Sequence, residues 1–228
     1  MSKLEKIRKL SKEILNEIPE TETVEIYTLI DSCENSKNIS YGQLLGLSDE
    51  LWPRDYNDNK MDFHFMIYLG DFPELKKKFP DYQALVFFSE DEDSWMDEMD
   101  KTGEFKIQDN KVIFLDSQEY EKCSINGDFK KAVSFTVPTI AFGDPDKEYF
   151  DIERDAPELA KPLKGKLQDL HTVIYQLPIR IGGNPIWLQE NEGATGFIMQ
   201  FDEEFVSMNM GDSGVMYLYE ANGFWQCY

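Results

Sequence analysis

The apolar residues of this chain are parcelled into short runs of five to eight residues: Thr23–Ile30, Phe63–Leu69, Gln83–Phe88, Lys111–Leu115 and Ala132–Thr136. These runs are rich in Val, Ile, Phe and Tyr, the residues that fit a pleated, half-buried surface. Most of the polar stretches between them are too short for a crossover helix, and strands joined by short connections pair antiparallel. The pattern therefore predicts an α+β protein built mainly on antiparallel sheet. Phe72–Lys78 suits a short helix between two strands. Tyr41–Leu51 reads as a short helix or ordered turn that Pro53 stops, and Leu159–Leu170 as a helix interrupted by Pro162 and Gly165.

Ahead of the first strand, Leu4, Ile7, Leu10, Ile14 and Ile18 recur at steps of three and four, with Ser2 in place as N-cap. This is an amphipathic helix whose apolar stripe needs a core to dock on. Its five basic residues (Lys3, Lys6, Arg8, Lys9, Lys12) face three acidic ones (Glu5, Glu13, Glu17), in a chain whose formal net charge is -21. So negative a chain resists nucleic acid and anionic membranes and attracts a basic protein. No stretch approaches the ~20 apolar residues of a membrane span, and Met1–Ile18 lacks the apolar segment of a signal peptide. The expected setting is cytoplasmic, where the scattered Cys33, Cys123 and Cys227 stay reduced.

The C-terminal fifty residues echo the middle of the chain. Gly46–Trp52 answers Gly182–Trp187; Phe65, Tyr68 and Leu69 answer Phe197, Gln200 and Phe201; and Asp81–Phe88 answers Asp212–Tyr219. One globular domain spanning 1–228 is expected, made of two weakly related β-rich units, with the repeat covering 46–88 and 182–219.

Few residues propose chemistry. Gly182-Gly183-Asn184-Pro185 lacks the Lys-Ser/Thr of a phosphate-cradling loop and reads as a turn, and no cofactor or metal motif is present. Ser213, in Gly211-Asp212-Ser213-Gly214, has neither a nucleophile elbow nor a base in sequence reach; His64 and His171 are the only histidines. Gln200, Asp202, Asn209 and Asp212 form a candidate polar cluster at one strand end. No catalytic set emerges, so binding is expected rather than catalysis.

Ile181-Gly182-Gly183-Asn184-Pro185-Ile186-Trp187, then Phe197–Asp202, Met210–Tyr219 and the terminal Trp225–Tyr228, resemble the C-terminal signature of the YwqG-like family of uncharacterised bacterial proteins; Trp52-Pro53-Arg54, Phe65–Leu69 and Leu85–Phe88 match its earlier pattern. The likeness covers roughly 46–228 and departs from the family at Tyr68-Leu69-Gly70-Asp71. It implies an α+β fold dominated by antiparallel sheet, a bacterial cytoplasmic setting, no established activity, and an immunity role against a toxin.

The leading expectation is an acidic protein-binding protein that occludes a basic partner, with Asp91, Glu92, Asp93, Asp97 and Glu98 steering it and Trp95 as anchor. The alternative is a small-ligand-binding protein or unfamiliar enzyme whose pocket lies between the repeats near Trp52, Trp187, Gln200, Asp202 and Asp212.

Overall fold

The computed structural model describes residues 1–30, 38–90, 110–143, 157–189, 196–203, 205–206, 208, 210, 213–220 and 222–227. Helix α1 (Lys3–Glu17) opens on a capping box: the Glu5 amide donates to Ser2 Oγ (3.2 Å) and the Ser2 amide to Glu5 Oε2 (2.8 Å). The strands follow as β1 (Thr23–Ile30), β2 (Ile39–Tyr41), β3 (Gln43–Leu45), β4 (Asp62–Tyr68), β5 (Ala84–Ser89), β6 (Asn110–Leu115), β7 (Ser124–Asn126), β8 (Phe129–Pro138), β9 (Ile179–Ile181), β10 (Met199–Asp202), β11 (Val215–Leu218) and β12 (Gly223–Gln226). Helices α2 (Pro73–Lys78), α3 (Ser117–Lys122) and α4 (Pro157–Tyr175) lie between them. Among the described residues no helix is long and apolar enough to cross a membrane.

Ten strands form one sheet in the order β12-β11-β10-β9-β1-β8-β2-β4-β5-β6, every described pairing antiparallel, and β3 pairs with β7 in a separate ribbon. The β1–β8 pair sits at the middle. The two segments in which the repeat was read contribute β4 and β5 on one side and β10 and β11 on the other, at mirrored positions. Since β8 and β9 both run antiparallel to β1 from opposite sides, they are parallel to each other, and α4 is the crossover that joins them.

The sheet curls until its edges meet. Asn110 on β6 donates from Nδ2 to the Gly223 carbonyl (2.9 Å) and accepts from the Gly223 amide (2.5 Å) on β12. Inside, side chains from all ten strands join one apolar cluster around Phe65, whose ring centroid lies 5.4 Å from Phe87, 5.5 Å from Phe201 and 5.3 Å from Phe205. Outside, α1 and α4 cover β1 and β8: Ile7, Leu10 and Ile14 pack with Leu163, Leu167, Leu170 and Ile174 over Ile26, Phe135 and Val137.

Two local expectations need correction. Tyr41–Leu51 is not helical; it holds the end of β2 and all of β3, broken by Gly46, which sits at φ +85° with its Cα so close to Lys122 that a Cβ would lie 1.9 Å from that carbonyl oxygen. Helix α4 runs unbroken past Pro162 and Gly165. Nothing lies within 4 Å of where a Gly165 Cβ would be, so glycine forfeits only about 1 kcal/mol of helix propensity, less than the burial of Leu163, Leu167, Leu170, Val173 and Ile174 returns. Helix α3 and strand β7 were not anticipated.

Asn110→Ala removes both bonds across the seam and leaves the buried Gly223 amide without that acceptor. The expected loss is about 1–3 kcal/mol, read as a lower urea midpoint; an unchanged midpoint would show that the seam adds nothing to stability.

Candidate functional site

On the outer face of the β9–β12 half, Arg180, Gln200, Tyr217 and Phe224 stand side by side, because the register pairs Arg180 with Gln200, Gln200 with Tyr217 and Tyr217 with Phe224. The segment from Gly182 to Gln189 crosses this row and is fastened to it. Arg180 Nη1 donates to the Gly182 carbonyl (2.9 Å) and Nη2 to Gln200 Oε1, which also accepts from the Ile186 amide (2.9 Å). Tyr217 Oη donates to the Ile186 carbonyl (3.0 Å) and accepts from the Leu188 amide (2.8 Å); Gln226 Oε1 accepts from the Leu188 and Gln189 amides (3.0 Å each). Trp187 lies flat over Tyr217 and Phe224, with centroids 5.0 and 5.9 Å away.

Arg180 is wholly buried, with its guanidinium over the rings of Phe142 (4.8 Å) and Phe197 (5.5 Å). No carboxylate pairs with it among the described residues, and burial pushes its pKa down to about 9. Its two terminal nitrogens hold the crossing segment and the neighbouring strand, while Nε has no hydrogen-bond partner. Arg180 and Gln200 thus serve as fasteners for the run that reads, in sequence, as a glycine turn.

Next to this row is a pocket of about 250 Å³ between the end of α4 (Tyr175, Gln176, Leu177) and the ends of β10 and β11. Asp202 and Glu203 are the charged residues in its wall, with Ser213 facing them from the β11 side. Ser213 adopts φ +54°, in the left-handed region that non-glycine residues seldom occupy. The Asp202 amide donates to the Pro178 carbonyl (3.0 Å), which fixes the strand end against the α4–β9 link.

The residues read as an inter-repeat pocket do not share one cavity. Gln200 and Asp202 line this pocket, Trp187 closes the neighbouring strap, and Asp212 lies outside the described residues, as does Asn209. Trp52 belongs elsewhere: it packs on Phe88 (5.4 Å), donates from Nε1 to the Met61 carbonyl (2.8 Å), and lines an open groove of about 560 Å³ with Arg54 and Lys111. In each half a loop tryptophan thus lies over the outer face of the second strand after the β1–β8 pair's neighbour, β5 or β11. Asp91, Glu92, Asp93, Trp95, Asp97 and Glu98 also lie outside the described residues.

Sequence reasoning did not single out Arg180, nor the contact between His64 and Ser89. A register shift in β4 between Phe63 and Phe65 leaves His64 as an extra residue, and its Nε2 sits 2.6 Å from Ser89 Oγ. Ser89 Oγ also lies 3.1 Å from the Glu90 carbonyl oxygen. The single hydroxyl proton serves either that carbonyl, with Nε2–H donating to Ser89, or Nε2 itself in the other tautomer. No signal in the sequence marks the bulge that creates this pair.

The architecture defines an α+β protein on a curled antiparallel sheet with α1 and α4 packed on its outer face. The chain belongs to the family described as a domain of unknown function, DUF1963, whose sequence model matches residues 44–220. That range runs from β3 to just past β11 and includes both the strap and the acidic pocket. No curated protein matches the chain.

Burial lowers the His64 pKa from 6.5 to about 4. The unfolded chain then binds a proton that the folded one refuses, so this contribution is complete above pH 6.5 and is lost as pH falls toward 4, reaching about 3 kcal/mol. Urea midpoints measured from pH 7 to pH 5 should fall more steeply for the wild type than for His64→Gln; parallel slopes would place the ring in water.

Proposed function

We propose that this protein acts by binding a basic protein partner and occluding it, rather than by catalysing a reaction. The resemblance to the YwqG-like group, with which the DUF1963 match is compatible, adds the finer reading of an immunity protein that blocks a toxin. The observation that carries the proposal is the pocket at the end of β10: in a chain of net charge -21, the described residues of its wall include Asp202 and Glu203 and no Lys, Arg or His. At about 250 Å³ it has room for one long basic side chain. The surrounding negative potential speeds encounter, and the pocket carboxylates select a cationic group at the end of it.

In this reading Asp91, Glu92, Asp93, Asp97 and Glu98 steer the partner and Trp95 is its apolar anchor, by their sequence; Asp202 and Glu203 receive a single cation, by their place. A second reading, a small cationic ligand such as a polyamine, is favoured by the same pocket volume. The test begins with affinity purification from the native cytoplasm at low and high salt, followed by association kinetics on any basic protein recovered. Asp202→Asn with Glu203→Gln should raise its dissociation rate about tenfold or more, and neutralising the acids of 91–98 should slow association and flatten its salt dependence. Unchanged kinetics in both variants would remove these acids from the account. Spermidine that saturates the wild type and not the pocket variant, with no protein partner recovered, would favour the second reading.

A further inference from the structure

A second concavity, of about 350 Å³, lies between α1 and β8, and its chemistry is opposite to that of the acidic pocket. Arg8, Ser11, Lys12, Leu15 and Asn16 contribute to it from one face of the helix, as their spacing of three and four dictates. Elsewhere in this layer Lys6 pairs with Asp169 (3.4 Å), Lys9 with Glu13 (3.8 Å), and Lys166 with Glu13 (3.8 Å) and Glu17, while Lys3 donates to the Gln176 carbonyl (2.8 Å). Arg8 and Lys12 have no such partner among the described residues, although acidic residues outnumber basic ones by 44 to 23 in the chain. Two like charges at i and i+4 also repel each other.

Three further features equip the groove. The Arg8 guanidinium is laid over the Phe135 ring at 5.0 Å, which holds its plane while leaving its N–H edge available. Ser11 is 3% exposed, and its Oγ, in the groove wall, has no hydrogen-bond partner. Buried hydroxyls are normally satisfied, so this one is a donor awaiting an acceptor. Across the groove, Ser134 and Thr136 line it from the exposed edge of β8. The Ala132 amide turns away from β1 to donate to Asn38 Oδ1 (3.1 Å), and strand alternation sends the amides of Ser134 and Thr136 to the same uncovered side. The carboxylate opposite Thr136, Glu25, is engaged by the Tyr27 hydroxyl (2.7 Å).

We propose that this groove binds a phosphomonoester. Two unmatched cations suit a dianionic group, the guanidinium edge suits a pair of its oxygens, and the Ser11 hydroxyl with the edge amides of Ser134 and Thr136 can donate to the rest. Leu15 and Phe135 supply apolar wall for the organic body of the ligand. Arg8, Ser11 and Lys12 lie before the residues matched by the family model, so the site is built partly from sequence outside it.

The test is isothermal titration of the full chain with phenyl phosphate, inorganic phosphate and benzoate, together with Arg8→Gln, Lys12→Gln and Ser11→Ala. Phenyl phosphate should bind saturably and inorganic phosphate should compete for the same site. Each of the first two variants should weaken phenyl phosphate about tenfold, and Ser11→Ala several-fold, with urea midpoints kept for the two exposed positions. The absence of saturable phenyl phosphate binding overturns the proposal, as does equal affinity in Lys12→Gln. Benzoate binding as tightly as phenyl phosphate would also overturn it, because the groove would then be reading a single charge and an aromatic body. The acidic-pocket variant Asp202→Asn should bind phenyl phosphate like the wild type, so the fate of this site is separable from that of the partner-binding reading.

Discussion

The structure hangs on the pairing of β1 with β8, eight residues against eight from Thr23 opposite Pro138 to Ile30 opposite Lys131. Each half of the sheet attaches to the strand from the other end of the chain: β2 joins β8, and β9 joins β1. Neither half therefore has a complete sheet of its own. The exchange forces the long crossover through α4, and α4 in turn gives α1 the apolar partner without which its stripe would face water. The acidic pocket at the foot of α4 and the groove between α1 and β8 are both by-products of this arrangement, since each lies where a helix leaves the sheet it covers.

Much of the fold was legible because period and length carry the information. The helix of α1 followed from its 3–4 spacing and from Ser2, and β1, β4, β5 and β6 from short apolar runs bounded by turns. What failed were segments in which local signals compete with burial. Gly165 argued for a break in α4, yet five buried side chains override it, and of the two readings of Tyr41–Leu51, short helix or ordered turn, the helix failed because the pairing of Tyr41 with Phe65 and of Gln43–Leu45 with Ser124–Asn126 cannot be read locally.

The candidate site was less legible. Gln200 and Asp202 were found through their place at a strand end, and they do line one pocket. Trp52 and Trp187 were grouped by motif alone, and each lies over its own strand, Trp52 on Phe88 of β5 and Trp187 on Tyr217 of β11. Arg180 escaped notice because a lone arginine in Ile-Arg-Ile looks like an outward-facing strand residue; only the overlying Gly182–Gln189 segment buries it. In that setting a charge serves as a clamp for backbone carbonyl and amide oxygens, and the two aromatic faces beside it take the place of a carboxylate.

The exchanged strand order has a consequence for the chain as it is being made. Strand β1 emerges from the ribosome early, but the residues that flank it, 129–138 and 179–181, follow only after another hundred residues or more. Contacts so distant in sequence form late. In that interval Thr23–Ile30 is a β-prone segment with both edges bare, the kind of stretch that neighbouring nascent chains on a polysome would otherwise capture. The strong negative charge spread along the chain keeps such copies apart while β1 waits, which gives the composition a role during synthesis that is separate from any role it has in recognition.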